Sequence, residues 1–271
     1  MKSYYQDKWV TIYHGDCREI LPVLDCKVDL VLTSPPYDNL RDYGGQTFDY
    51  ISTIETIVPV IKKGGVCVWI VGDATQNGSE SCTSFRQALK FIDCGLSLHD
   101  TMIYEKNGPP YPSKDKYYQT FEYMFVFSKG KPSTVNLITD RKNKWVGQKW
   151  SSGRTRRTID GELKRQDWYV GSQNDYGVRF NIWRYHTGAG YSTKDKVAFE
   201  HPATFPELLA QDHIISWSNP NEIILDPMVG SGTVLKNCKK LNRHSIGIEI
   251  EERYCEIAAN RCRQEVMELG I

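Results

Sequence analysis

The 271-residue sequence has no run of about 18 apolar residues, which excludes a membrane-spanning helix. Its first residues, Met1-Lys2-Ser3-Tyr4-Tyr5-Gln6-Asp7-Lys8, lack the apolar centre of a secretory signal, so a cytoplasmic protein is expected. Eight cysteines are present without one Cys-x-x-Cys pair, which argues against a zinc site or a disulfide framework. Buried free thiols in a reducing compartment are expected instead. No Gly-Lys-Ser/Thr follows a glycine-rich turn, so a P-loop is excluded. Net charge is also scarce, at +1, and as a whole-chain figure it points to no polyanionic partner. The distribution says more. Between Arg141 and Lys196 there are 13 Lys and Arg against 5 Asp and Glu, so the rest of the chain is acidic. That asymmetry suggests one face built for polyanions.

Short apolar runs alternate with helical patterns, which predicts an α/β fold. Strands are expected at Trp9–Tyr13, Val28–Leu32, Val66–Val71, Glu222–Leu225 and Ser245–Ile250. Leu96–Tyr104 and Phe121–Phe127 read as two more, a terminal antiparallel pair. Helices are expected at Asp49–Ile61, Phe85–Ile92, Glu207–Trp217, Val234–Leu241 and Glu251–Glu268. From about Thr139 to Lys196 no apolar period persists, so a small inserted segment is expected there. The organisation is therefore 1–138, 139–198 and 199–271.

Two strand ends carry candidate chemistry. Asp226-Pro227-Met228-Val229-Gly230-Ser231-Gly232-Thr233 joins a strand to a helix, and its small residues let backbone approach a ligand closely. Glu249, nineteen residues after Gly230, stands where an acidic side chain grips ribose hydroxyls. A nucleotide-like ligand without a bulky phosphate fits this pair, although glycine-rich turns are common. Thr33-Ser34-Pro35-Pro36-Tyr37 ends another strand. Its prolines fix the backbone and remove two donors, leaving the Ser34 hydroxyl and the Pro35 carbonyl as rigid acceptors beside a flat ring. Alone, this segment is a turn.

Together, and in this order, the two motifs resemble those of the beta group of amino-DNA methyltransferases. The resemblance covers most of the chain. It implies a Rossmann-like, S-adenosylmethionine-dependent fold with 139–198 as target-recognition segment, and double-stranded DNA as partner. It implies catalytic roles for Ser34, Pro35, Pro36 and Tyr37. It implies cofactor roles for Asp16, Asp226, Pro227, Gly230, Gly232, Thr233 and Glu249, and for Phe205 in His201-Pro202-Ala203-Thr204-Phe205-Pro206-Glu207. Glu122-Tyr123 to Lys129 resembles the strand that lines the target-base pocket. Relatives of this group are often dimers, and some work beside a restriction endonuclease; the sequence carries no interface signature.

The chemistry matches these residues. An exocyclic base amine is a poor nucleophile because its lone pair is conjugated with the ring. Acceptors on its hydrogens favour a tetrahedral nitrogen that can attack a sulfonium methyl directly. The base must leave the duplex, and Tyr37 would stack on it. Carbon-5 cytosine methylation needs the Pro-Cys nucleophile of its own family, and that dipeptide is absent. Ser34 is typical of N4-cytosine enzymes, where adenine enzymes usually carry Asp, and Phe205-Pro206 leans the same way. N4-cytosine is therefore expected ahead of N6-adenine. An RNA substrate and a DNA-binding protein without catalysis are the competing readings. Met228-Val229 departs from the family's usual Phe-Ala.

In the basic segment Arg141, Lys144, Lys149, Arg154, Arg156, Arg157, Lys164 and Arg165 are expected to bind DNA, accompanied by Trp145, Trp150 and Trp168. Arg41-Asp42-Tyr43 reads as a flap over the pocket, and Lys106–Lys116 as a loop beside it.

Overall fold

A computed structural model describes residues 1–36, 48–107, 114, 116–144, 146–147, 149–150, 155–165, 171–172, 174–188, 190–204 and 206–264. Tyr37, Arg154, Phe205, the flap at 41–43, residues 108–113 and 115, Trp145 and Trp168 lie outside the described residues. For Lys149, Trp150, Arg156 and Arg165 only the backbone is described.

One nine-stranded sheet organises residues 1–136 and 181–271. Its strands are β1 (Tyr5–Gln6), β2 (Val10–His14), β3 (Val28–Thr33), β4 (Ile61–Val71) and β5 (Ser97–Lys106). They continue with β6 (Phe121–Ser128), β7 (Ile182–Tyr185), β8 (Ile223–Asp226) and β9 (His244–Glu249). The spatial order is β1-β2-β9-β8-β3-β4-β6-β5-β7. From β2 to β4 all neighbours are parallel; β6 runs antiparallel between β4 and β5. Parallel strands are covered on both faces, which is why β3 and β4 are almost continuously apolar and buried.

The helices are α1 (Cys17–Ile20), α2 (Tyr50–Val60), α3 (Thr83–Asp93), α4 (Glu207–Trp217), α5 (Thr233–Lys240) and α6 (Glu252–Gln264). On one side α2 and α3 bury Ile54, Ile57, Val58 and Phe91 with Val31, Cys67, Trp69 and Phe125 of the sheet. Elsewhere α5 and α6 bury Leu235, Cys255, Ala258 and Cys262 with Val10 and Ile12. Five of the eight cysteines are buried, Cys26 and Cys94 are half-buried, and Cys82 is exposed. No described helix is long and apolar enough to cross a membrane.

Two expectations change. The β5–β6 pair is antiparallel but not terminal, because β7 adds to β5 in parallel at the edge. In Ile182-Trp183-Arg184-Tyr185 only the alternate residues Trp183 and Tyr185 are buried, a period of two over four residues that the basic surroundings obscure. The separate unit is consequently 137–180, shorter than 139–198, since residues from 181 onward pack with the sheet.

That smaller unit contains three two-stranded antiparallel ribbons. Arg141–Lys142 pairs with Tyr176–Gly177, Lys149–Trp150 with Gly171–Ser172, and Thr155–Arg157 with Leu163–Arg165. Ile159, Leu163, Tyr176, Val178 and Phe180 are all exposed. Polar contacts tie its ends: Arg179 Nε donates to Asp140 Oδ2 at 3.0 Å, and Arg141 Nε donates to the Val178 carbonyl at 3.0 Å.

Candidate active site

Chain direction across the sheet reverses between β3 and β8. The chain leaves β3 toward β4 and leaves β8 toward β9, so the loops at their carboxyl ends diverge and open a crevice. That switch point is where open α/β sheets bind ligands. Here it opens into a cavity of about 720 Å³. Ser34, Pro35 and Pro36 line it from β3, and Asp226, Pro227, Gly230 and Thr233 line it from the β8–α5 loop. Asp16 and Glu249 complete that end. The structure thus brings together in one cavity residues up to 233 positions apart in the chain.

Hydrogen bonds fix the two strand ends to each other. Thr33 Oγ1 donates to Asp226 Oδ1 at 2.8 Å, and the Met228 N–H donates to the same oxygen at 3.2 Å. Asp226 is buried, and that burial, with Glu249 nearby, pushes its carboxyl up to about 7. Glu249 ends β9 and is also buried. Its Oε2 accepts from the Gly230 N–H at 2.8 Å and its Oε1 from the Glu251 N–H at 3.0 Å. Burial raises this carboxyl too.

The glycines of the loop answer to specific neighbours. Gly230 has φ +52°, and a Cβ there would lie 3.0 Å from the His201 ring, a wall of the cavity. Gly232, at φ +79°, precedes α5, and a Cβ there would come within 2.8 Å of the Ala258 backbone. One glycine keeps the cavity open; the other lets α5 begin against α6.

Asp16 caps α1, accepting from the Arg18 N–H at 2.8 Å. Its carboxylate also pairs with the Arg18 guanidinium at 2.5 Å, which holds it below the usual carboxylate range. Arg18 reaches Asp49 at 3.4 Å, so a charged chain runs along this rim.

At the β5–β6 end the lining includes Tyr104, Lys106 and Glu122. Lys106 and Glu122 form an ion pair. Tyr104 is 3% exposed, yet its hydroxyl has no hydrogen-bond partner among the described residues. Burial pushes that phenol above its ordinary range.

Sequence reasoning missed the residue that braces the loop between β8 and α5. Arg261 on α6 is fully buried. Its guanidinium pairs with Asp195 and with Glu207 of α4, each at 2.8 Å. It donates to the Ser231 carbonyl at 2.6 Å and to Thr233 Oγ1 at 3.0 Å. Glu207 meets Lys236 of α5 as well, at 3.0 Å. The signal was available: Arg261 falls on the same helical stripe as Ala258, among Cys255, Ala259 and Cys262. A cation on an apolar stripe needs buried partners.

The cavity's charge limits what it can hold. Its described lining carries six carboxyl side chains (Asp16, Asp49, Glu122, Asp226, Glu249 and Glu251) against the cations Arg18 and Lys106. Such a wall repels phosphate and favours a cationic ligand. A nucleoside bearing a sulfonium fits this set: carboxylates for amine and ribose hydroxyls, and a negative surround for the positive sulfur.

In the 137–180 unit the expected DNA contacts divide. Lys144, Arg157 and Lys164 are exposed. Arg141 is partly used internally, its guanidinium lying 4.6 Å over the Phe180 ring. In the ribbon register Arg156 stands directly opposite Lys164.

Comparison with known proteins agrees with this geometry. Residues 28–260 match the family model N6_N4_Mtase, described as DNA methylase. The chain is 53% identical over 247 residues to the orphan methyltransferase M.BamHII of Bacillus amyloliquefaciens, covering 90% of this chain and 91% of that one. The PvuII DNA methyltransferase, titled cytosine-N4-specific, shares the fold with a TM-score of 0.71 at 19% identity, over 96% of this chain and 88% of that one. The M1.HpyAVI structure, titled as a SAM complex, gives 0.61 at 24%, over 93% and 98%. The chain belongs to this family of DNA methylases.

Proposed function

We propose that the protein methylates the exocyclic N4 amine of cytosine in double-stranded DNA, using S-adenosylmethionine. The observation that carries this reading is the placement of Ser34-Pro35-Pro36 at the switch point, in the same cavity as Asp226 and Glu249. When bound, S-adenosylmethionine supplies an activated methyl group. Asp16, Asp226 and Glu249 would hold it, with Gly230 giving the backbone room. The acidic lining keeps DNA phosphates out while an uncharged base enters. Ser34 Oγ and the Pro35 carbonyl accept the two amine hydrogens. That withdraws the nitrogen lone pair from the ring and orients it for attack. With the methyl donor bound, the nitrogen would take its methyl as the C–S bond breaks to leave a neutral thioether, and the nitrogen would give up one proton. Preorganised acceptors of this kind contribute about 10²–10³-fold.

Exposed Lys144, Arg157 and Lys164 are the natural contacts for the DNA backbone. Arg156 opposite Lys164 supports this, because like charges directly across a ribbon are unfavourable until a polyanion lies over them. The name of M.BamHII, an orphan methyltransferase, favours a chain that modifies DNA without a paired endonuclease. A DNA substrate also accords with a cytoplasmic site of action.

The test is to incubate protein, S-adenosylmethionine and unmethylated genomic DNA, digest to nucleosides and analyse by mass spectrometry. N4-methylcytosine is the expected product. N6-methyladenine would overturn the choice of base while leaving the family assignment intact.

A further inference from the structure

The far wall of the cavity carries polar groups that methyl-donor binding does not use. Tyr104 and Glu122 stand opposite each other in the β5–β6 register, and Lys106 follows two residues on, on the same face of the strand. All three line the cavity that also holds Ser34. The carboxyl end of β3 is separated from β6 by one intervening strand, and from β5 by two. At about 4.8 Å per strand, β6 and β5 stand roughly 10 and 14 Å from β3. That interval accommodates a base ring between facing side chains. The methyl-donor residues lie on the opposite side of β3, at β8, β9 and β2.

The Tyr104 hydroxyl is the telling group. A buried hydroxyl without a partner among the described residues is costly, and this one lines a cavity from which a ligand can complete it. Lys106 adds an ammonium with three N–H donors, steadied by Glu122, so the pair brings donors without adding net charge.

A target cytosine presents matching acceptors. Beside its amine lies N3, and beyond N3 lies O2. Adenine offers N1 beside its amine, but a C–H where cytosine has O2. We propose that Tyr104 and Lys106 are the specificity-determining donors for the target base. The Tyr104 hydroxyl donates to N3 and the Lys106 ammonium to O2 of a cytosine whose amine is held by Ser34 and Pro35. This rests on the cytosine reading above.

The test uses the full chain with Tyr104→Phe and Lys106→Met, unmethylated genomic DNA and labelled S-adenosylmethionine. Tyr104→Phe should lower kcat/KM for DNA about ten-fold, the worth of one neutral hydrogen bond. Its melting temperature should hold or rise, because the change deletes an unsatisfied hydroxyl and keeps the ring. Lys106→Met should cost about thirty-fold, as for a charged donor, and should raise the ratio of N6-methyladenine to N4-methylcytosine. Lys106→Arg should recover part of both. S-adenosylmethionine affinity, measured by calorimetry, should stay within twofold throughout. Turnover within twofold of the parent overturns the role of the residue changed. An equal fall in S-adenosylmethionine affinity moves the residue to the cofactor half of the cavity and likewise overturns it. A parent enzyme that makes only N6-methyladenine removes the cytosine reading itself, a result visible before any variant is made.

Discussion

Arg261 and Lys164 are both cations, held in opposite ways. In the sheet unit Arg261 is fully buried, with two carboxylates, a carbonyl and a hydroxyl around it. In the 137–180 unit Lys164 is exposed, in a hairpin where Arg157 and Leu163 are exposed as well. The first arrangement is complete in the free protein and fixes the loop from Ser231 to Thr233. The second is open to solvent, where a polyanion would add contacts. In the proposed function one unit supplies a preorganised site for a small cation and a base, and the other a surface whose energetics depend on its partner.

The sharpest way to break this contrast is Ser34→Ala. A rigid site that loses one acceptor should lose turnover by about 10²–10³-fold, with unchanged S-adenosylmethionine affinity and melting temperature. Unfolding in place of inactivation would make Ser34 a scaffold residue. Arg261→Met comes next. Leaving half-buried Asp195 without its cation, and Glu207 with Lys236 alone, should cost about 3 kcal/mol, seen as a melting temperature lower by roughly 10 °C. S-adenosylmethionine affinity should fall with it, since the loop loses its brace. A variant that melts normally would show that the loop stands without α6.

Asp226 sharpens the comparison through pH. Its folded carboxyl titrates at about 7 against an unfolded value of 3.8. The folded state therefore holds a proton that the unfolded chain has lost, and this contribution to stability declines as pH rises from about 4 to about 7. Affinity for a cationic ligand should run the other way, tightening up to about pH 8 and then levelling. Asp226→Asn keeps the acceptor that serves Thr33 and Met228 and should flatten both profiles. Calorimetry between pH 5.5 and 8.5, a range chosen to bracket the carboxyl's titration at about 7, is the measurement. The smallest effect belongs to the ribbon. Replacing Arg156, Arg157 and Lys164 with alanine should reduce the salt slope of DNA binding by about 2–3, at roughly 0.9 per phosphate contact. Thermal stability should not change, because no core depends on them.

The sequence made the alternating plan legible, because its buried strands are long apolar runs and its helices periodic. The helix at Glu207–Trp217 has the expected bounds, and the two candidate loops fall on adjacent parallel strand ends. Three things were hidden for physical reasons. β7 is four residues long and half-exposed, so its alternation is too brief to stand out. Arg261 draws its partners from 195, 207, 231 and 233, and such distances in sequence leave no local pattern. Tyr104 looks like any strand tyrosine; only the fold leaves its hydroxyl inside a cavity and without a partner among the described residues. Tyr37 and Phe205, on which the motif resemblance also drew, lie outside the described residues.

The bracing of the β8–α5 loop by α6 has a consequence for synthesis. The loop at 226–233 leaves the ribosome before the helix at 252–264 that steadies it. A growing chain in which both candidate motifs have emerged still lacks Arg261, so the turn from Ser231 to Thr233 gains its brace only after the helix at 252–264 has been made and has docked.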